Sequence, residues 1–139
     1  MVERIDFYIL STPETISFTC RLLEKAYKEK HRIYVQTNSK AEALKLNDSL
    51  WTFKDISFVP HRLQDMTAAP IAPITIGVEE GDPNLANVLV SALPKLPKNY
   101  QAYQRIALVI ANDEAQKAEA RDLYKKLKAS EITLQVHNL

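Results

Sequence analysis

The chain has 139 residues, 46% of them hydrophobic and 25% charged, which predicts one soluble globular domain large enough for a real core. With 18 basic and 17 acidic residues the formal net charge is +1, so no overall field draws the protein to nucleic acid or membrane, and charge-driven binding has to come from local clusters. A single cysteine, Cys20, excludes an internal disulfide, and the only glycines, Gly77 and Gly81, exclude the GxGxxG and GxxxxGK[ST] loops whose backbone amides cradle phosphates.

The N-terminal stretch MVERIDFYIL is too short and too polar for a signal peptide or a membrane span, so a cytoplasmic location is expected. Within it IDFYIL, 5–10, reads as a strand buried on both faces, with Asp6 its one polar residue. Thr12 is placed to cap a helix with Pro13 at the first position, where a missing N–H costs nothing. Ile16, Cys20, Leu23 and Tyr27 then recur at helical spacing, with Arg21, Lys25 and Lys28 on another face. An amphipathic helix over 13–30 follows, with Cys20 on its inner stripe as a structural residue rather than a nucleophile.

RIYVQT, 32–37, is the next strand. SKAE, 39–42, is a capping box opening a second helix whose inner stripe is Ala43, Leu46 and Leu50 and which ends near Trp51. The order β-α-β-α predicts parallel strands. DISFVP reads as a short strand ended by Pro60, leaving His61 in a loop, and 64–73, with two prolines, reads as loop. Strands are predicted at 74–78, 85–93 and 105–111, with an exposed turn at 79–84 and a proline-containing connection with a helical turn over 94–105. Asp113 and Gln116 form a second capping box at the start of the last helix, 113–130. ITLQVHN, 132–138, alternates in the manner of a half-exposed edge strand. The whole is predicted to be a single α/β domain over 1–139, in three layers, with a mostly parallel central sheet.

Catalytic chemistry finds little to stand on. His31, His61 and His137 sit in unrelated contexts, and neither HxxxH nor a Cys/His pair offers metal-ligand spacing, so no metal or other cofactor is expected. Asp6 and Glu79–Glu80 lie at strands, where acids are mostly solvated, and no GxSxG elbow occurs. The last helix says more. At ~100° per residue, Lys117, Arg121, Tyr124 and Lys128 share an arc of roughly 60°. Ala120, Leu123 and Leu127 form a buried stripe beside it. A basic stripe is usually a solvated face, but Arg and Tyr favour binding hot spots, and Ile110 at the end of the preceding strand offers an apolar floor. Such a groove suits a short acidic peptide with a carboxylate end. Trp51, near Phe58 and Pro60, fits a core position and an interface centre equally well.

Four stretches together carry a family resemblance: FYIL near the N-terminus, AEALKLNDSLW in the second helix, FVPH at 58–61 and KAEARDLYKKL in the last helix. On these the chain resembles the chi subunit of bacterial DNA polymerase III, over nearly its whole length, with 64–104 the loosest part. The resemblance implies a Rossmann-like fold without nucleotide binding and no activity of its own within the polymerase complex. It implies two partners: the small psi subunit, which joins chi to the clamp loader, and the acidic, phenylalanine-ended C-terminal tail of single-stranded DNA-binding protein. Carried over residue by residue, the tail site matches Lys117, Arg121 and Tyr124, with the apolar position at Ile110, and Lys128 completes the arc. The psi-facing region matches Trp51 and Phe58, and by adjacency Pro60 and His61. No membrane association and no sequence-specific nucleic-acid binding are implied, and the location is the cytoplasm, at the nucleoid through the replisome. Two readings compete with this adapter: a small α/β enzyme acting on nucleotides or nucleic acid, which lacks a convergent catalytic set, and a direct nucleic-acid binder, which lacks net charge and a stacking platform.

Overall fold

Apolar residues on both faces of the first strand call for a layer of helix on each side of the sheet. The computed structural model, which describes residues 2–52, 61–63, 74–78, 86–92 and 94–139, has that arrangement. Its elements are β1 (Arg4–Ile9), α1 (Ile16–Lys28), β2 (Ile33–Gln36), α2 (Lys40–Thr52), β3 (His61–Leu63), β4 (Ile74–Gly77), β5 (Val88–Ser91), β6 (Arg105–Ile110), α3 (Glu114–Lys128) and β7 (Thr133–Asn138). A 3-10 turn, Tyr100–Ala102, supplies the helical turn expected in the connection before β6. Among the described residues the sheet has 7 strands, in the order β3-β4-β2-β5-β6-β1-β7. All of the described pairings are parallel, so the expected "mostly parallel" sheet is more uniform than predicted. β7 is the edge strand the alternation in ITLQVHN called for.

Strand parity sorts the core into two halves. Val35, Val90 and Val109 point to the side covered by α1 and α2, where they meet Cys20, Leu23, Ala43, Leu46 and Leu50. Ile5, Phe7, Leu108 and Ile110 point to the other side, where they meet Ala120 and Leu127 of α3 and the buried Tyr103. Each residue step along a strand changes face, which is why near-continuous apolar runs such as RIALVI are required here.

The caps show where local chemistry departs from expectation. α1 begins at Ile16, with Thr15 at the N-cap position making no side-chain bond, instead of at Pro13. The Glu14 carboxylate does the capping, accepting from the amides of Ile16 and Ser17, while the Thr12 hydroxyl donates to the Glu14 carbonyl. A carboxylate at the positive end of a helix satisfies free amides and complements the dipole better than a hydroxyl does. Ser39 accepts from the Glu42 amide at 3.2 Å, and Glu42 reaches back one residue further than predicted, to the amide of Asn38. In α3 the Gln116 amide donates to Asp113 at 3.0 Å, and the Gln116 side chain accepts from the Ala111 amide. α1 ends with Lys30 at φ 67°, a left-handed position usually given to glycine, closed by bonds from Lys30 N–H to the Tyr27 carbonyl and from His31 N–H to the Ala26 carbonyl.

His61, expected in a loop, opens β3, which pairs with β4 at the far edge of the sheet. The strand predicted at DISFVP, with Phe58 and Pro60, lies outside the described residues, as do the loop at 64–73 and the turn at 79–84.

Candidate functional site

At the β1–β7 edge, α3 does not close down fully on the sheet. Parallel register sets Phe7 opposite Val136 and Ile9 opposite Asn138, on the side facing α3. Ala120 is too small to fill the space above them. The result is a groove of about 450 Å³ with an apolar floor of Phe7, Ile9 and Val136, and walls from Lys117, Arg121, Tyr124 and Lys125. Phe7 is buried and meets the half-buried Tyr124 edge to face, with ring centroids 5.6 Å apart and an interplanar angle of 67°. Val136, by contrast, leaves 47% of its surface exposed. Among the described residues no acidic one lines the groove. Among the described residues none of Lys117, Arg121 and Lys125 pairs with a carboxylate. Three free cations around an apolar floor can bind a ligand that is anionic at one part and aromatic or aliphatic at another.

The structure therefore brings Lys117, Arg121 and Tyr124 together, as the helical arc predicts. Ile110 does not line the groove. It is fully buried on β6, one strand further in, with Ile9 of β1 as its register partner. The floor comes from β1 and β7 instead, because α3 lies over the sheet edge. Lys128 is exposed but is not among the lining residues. A helical arc fixes azimuth and not height, and at 1.5 Å rise per residue Lys128 is roughly 16 Å along the axis from Lys117. Lys125, off the arc, does line the groove. The signal for Phe7, Ile9 and Val136 was in the alternation of β1 and β7, but it takes the strand order to bring them under α3. Trp51 lies in the last turn of α2 and His61 opens β3; Phe58 and Pro60 are outside the described residues.

On the opposite face of the same edge sits a charge cluster that the sequence reading missed. Asp6, expected to be solvated, is only 2% exposed. Its carboxylate meets Arg4 at 2.8 Å, His137 Nε2 at 3.0 Å and Arg105 at 3.6 Å. The His137 ring stacks on Tyr8, with centroids 4.6 Å apart, and burial, followed by the Asp6 charge, raises the Tyr8 phenol above its usual pKa. Asp6 thus ties β1 to β6 and β7. With its oxygens committed to three partners it is poorly placed to act as a free base. Cys20, on the inner face of α1, is buried, and that burial pushes its thiol up to about 11, which suits a structural residue and not a nucleophile. Among the described residues no cluster of His, Cys, Asp and Glu is arranged to hold a metal, and no helix is long and apolar enough to cross a membrane.

Comparison with known proteins bears on what this arrangement serves. A family model described as "DNA polymerase III chi subunit, HolC" matches residues 2–135. The chain is 27% identical to the DNA polymerase III subunit chi of Pseudomonas aeruginosa over 99% of this chain and 98% of the relative. It is 26% identical to that of Haemophilus influenzae over 100% and 99%, and 21% identical to that of Escherichia coli over 96% of each.

Proposed function

This chain belongs to the DNA polymerase III chi subunit family, and on that premise we propose that it is a non-catalytic accessory subunit of the DNA polymerase III complex, at work in DNA replication as an adapter between two proteins. One surface, around Trp51, Phe58, Pro60 and His61, takes the psi subunit and through it the clamp loader. The other, the α3 groove, takes the acidic, phenylalanine-ended tail of single-stranded DNA-binding protein.

The observation that carries the reading is the groove itself: an apolar floor beside three cations that lack carboxylate partners among the described residues. The terminal aromatic of the tail would lie on Phe7, Ile9 and Val136 against the Tyr124 ring. Its terminal carboxylate and acidic side chains would meet Arg121, whose planar fork suits a carboxylate, with Lys117 and Lys125 as point charges. Lys128, a turn beyond, adds long-range attraction only. Arg121 and Lys125 are exposed and Lys117 is half-buried, so each contact is worth about 0.2–1 kcal/mol and weakens as salt is added.

The test separates the two surfaces. Titration of a fluorescent tail peptide should show Arg121→Ala weakening binding by up to about fivefold, while the variant still co-purifies with psi. Phe58→Ala should lose psi and keep the peptide. A variant that lost both, with its fold intact, or an Arg121→Ala protein that bound the peptide as tightly as wild type, would rule out the two-surface adapter.

A further inference from the structure

A second groove opens on the α1 side of the same sheet edge. Its volume is about 680 Å³, and its lining includes Tyr8, Leu10, Phe18, Arg21, Lys25 and Leu139. Tyr8 and Phe18 pack with ring centroids 5.2 Å apart, and the Arg21 guanidinium lies 6.0 Å from the Phe18 ring centroid. Glu14 also lines the groove, but its carboxylate is engaged by the amides of Ile16 and Ser17. Arg21 and Lys25 are exposed, and among the described residues neither is paired with a carboxylate. The basic stripe of α1 is in this respect a counterpart of the one on α3.

The two grooves meet at the tip of β7. Asn138 lines the α3 groove, and its neighbour Leu139 lines the α1 groove. Leu139 is held in place by its amide, which donates to the Ile9 carbonyl at 2.9 Å. Cations without a carboxylate partner among the described residues therefore lie on either side of this strand end, Lys117, Arg121 and Lys125 in one groove and Arg21 and Lys25 in the other. An extended peptide advances ~3.3 Å per residue, so about four residues pass over the edge of one sheet layer.

We propose that the α1 groove receives the acidic stretch that precedes the aromatic end of the tail, so that one peptide crosses the β7 tip and is held on both faces of the sheet. This rests on the assignment of the aromatic end to the α3 groove. Charge complementarity selects the occupant: Arg21 and Lys25 offer two positive charges with no carboxylate partner among the described residues, and the Tyr8–Phe18 pair supplies an apolar wall for the backbone and methylenes between the acids. The site thereby discriminates by length and by acidity upstream of the terminus, which the α3 groove alone does not reach.

The experiment compares two labelled peptides with the same phenylalanine end, one short and one with an extended acidic stretch, titrated against the full chain at low salt. The Arg21→Ala/Lys25→Ala double variant should weaken the longer peptide about five- to tenfold and leave the short one unchanged. Arg121→Ala should weaken both. In the wild-type protein the longer peptide alone should shift the amide resonances of Ser17, Arg21 and Leu139, a readout independent of any variant's folding. If the double variant binds the longer peptide as wild type does while Arg121→Ala weakens both peptides, the α1 groove is ruled out and the α3 groove stands. If Arg32→Ala/Lys45→Ala, which removes the same charge elsewhere, causes an equal loss, the effect belongs to the general field and the proposal fails. If neither peptide binds, or Arg121→Ala affects neither, the tail reading fails and takes this extension with it.

Discussion

Val136→Asp is the sharpest probe of which residues form the floor of the α3 groove. Burying a whole valine is worth ~1.5–3 kcal/mol. Val136 still exposes 47% of its surface, so a bound aromatic recovers about half of that, ~1 kcal/mol. The new carboxylate would also repel an acidic ligand across partly hydrated space, for a further ~1 kcal/mol. The sum, ~2 kcal/mol, is about a thirtyfold loss of affinity. The fold should bear the change, because Val136 stands on an edge strand with that face open. Ile110→Val is the companion. Ile110 is fully buried, so the change should cost ~0.5–1.5 kcal/mol of stability and leave peptide affinity within about twofold. Fluorescence anisotropy with a labelled tail peptide, alongside urea unfolding followed by circular dichroism, reads both quantities. A Val136→Asp protein that bound as wild type while Ile110→Val bound markedly worse would return the floor to β6 and refute the geometry argued above.

Three stability predictions follow from features away from the groove. Asp6→Ala should cost about 2–3 kcal/mol, below the ~3–5 kcal/mol of a fully buried broken pair, because the orphaned Arg4, Arg105 and His137 side chains are 34–40% exposed and can turn to water; a loss under ~0.5 kcal/mol in urea unfolding would show that the cluster does not hold the strands together. Lys30→Gly should stabilise by about 0.5–1 kcal/mol, read as a small rise in Tm, since φ 67° carries a penalty that glycine does not; a fall in Tm would count against that. For Cys20 the folded thiol titrates at about 11 and the free one at 9.0. Between these values the unfolded chain binds fewer protons, so the contribution is complete below pH 9 and falls by about 1.4 kcal/mol per pH unit towards pH 11. Cys20→Ala should therefore show a flatter decline in Tm over that window, and parallel curves would contradict the assignment.

Much of the architecture was legible because it rests on periodicity. The inner stripes Ala43, Leu46, Leu50 and Cys20, Leu23, and the buried run RIALVI, each state their burial in local sequence. Helix ends were less legible, because Thr12 and Glu14 both offer oxygen acceptors and only the path of the chain decides which reaches the free amides. For the site, Lys117, Arg121 and Tyr124 could be found from azimuth alone. Its floor could not, since Ile9 and Val136 come together only through a strand order that places β7 beside β1. Asp6 failed for the same reason. Its partners Arg105 and His137 are remote in sequence, so an aspartate in an apolar strand gave no sign of how it would be satisfied.

The position of β1 has a consequence for the growing chain. It is the first strand made, yet its neighbours are β6 and β7, the last two. At ~5–20 residues per second, on the order of 10 s pass on the ribosome before either partner emerges. Throughout that time IDFYIL is a short, β-prone, apolar segment with both edges open, the kind that seeks other chains. Its only charge is Asp6. The carboxylate that later binds the three strands together thus also serves as a gatekeeper for the nascent strand, and its loss would be felt as aggregation during synthesis as well as in the stability of the finished protein.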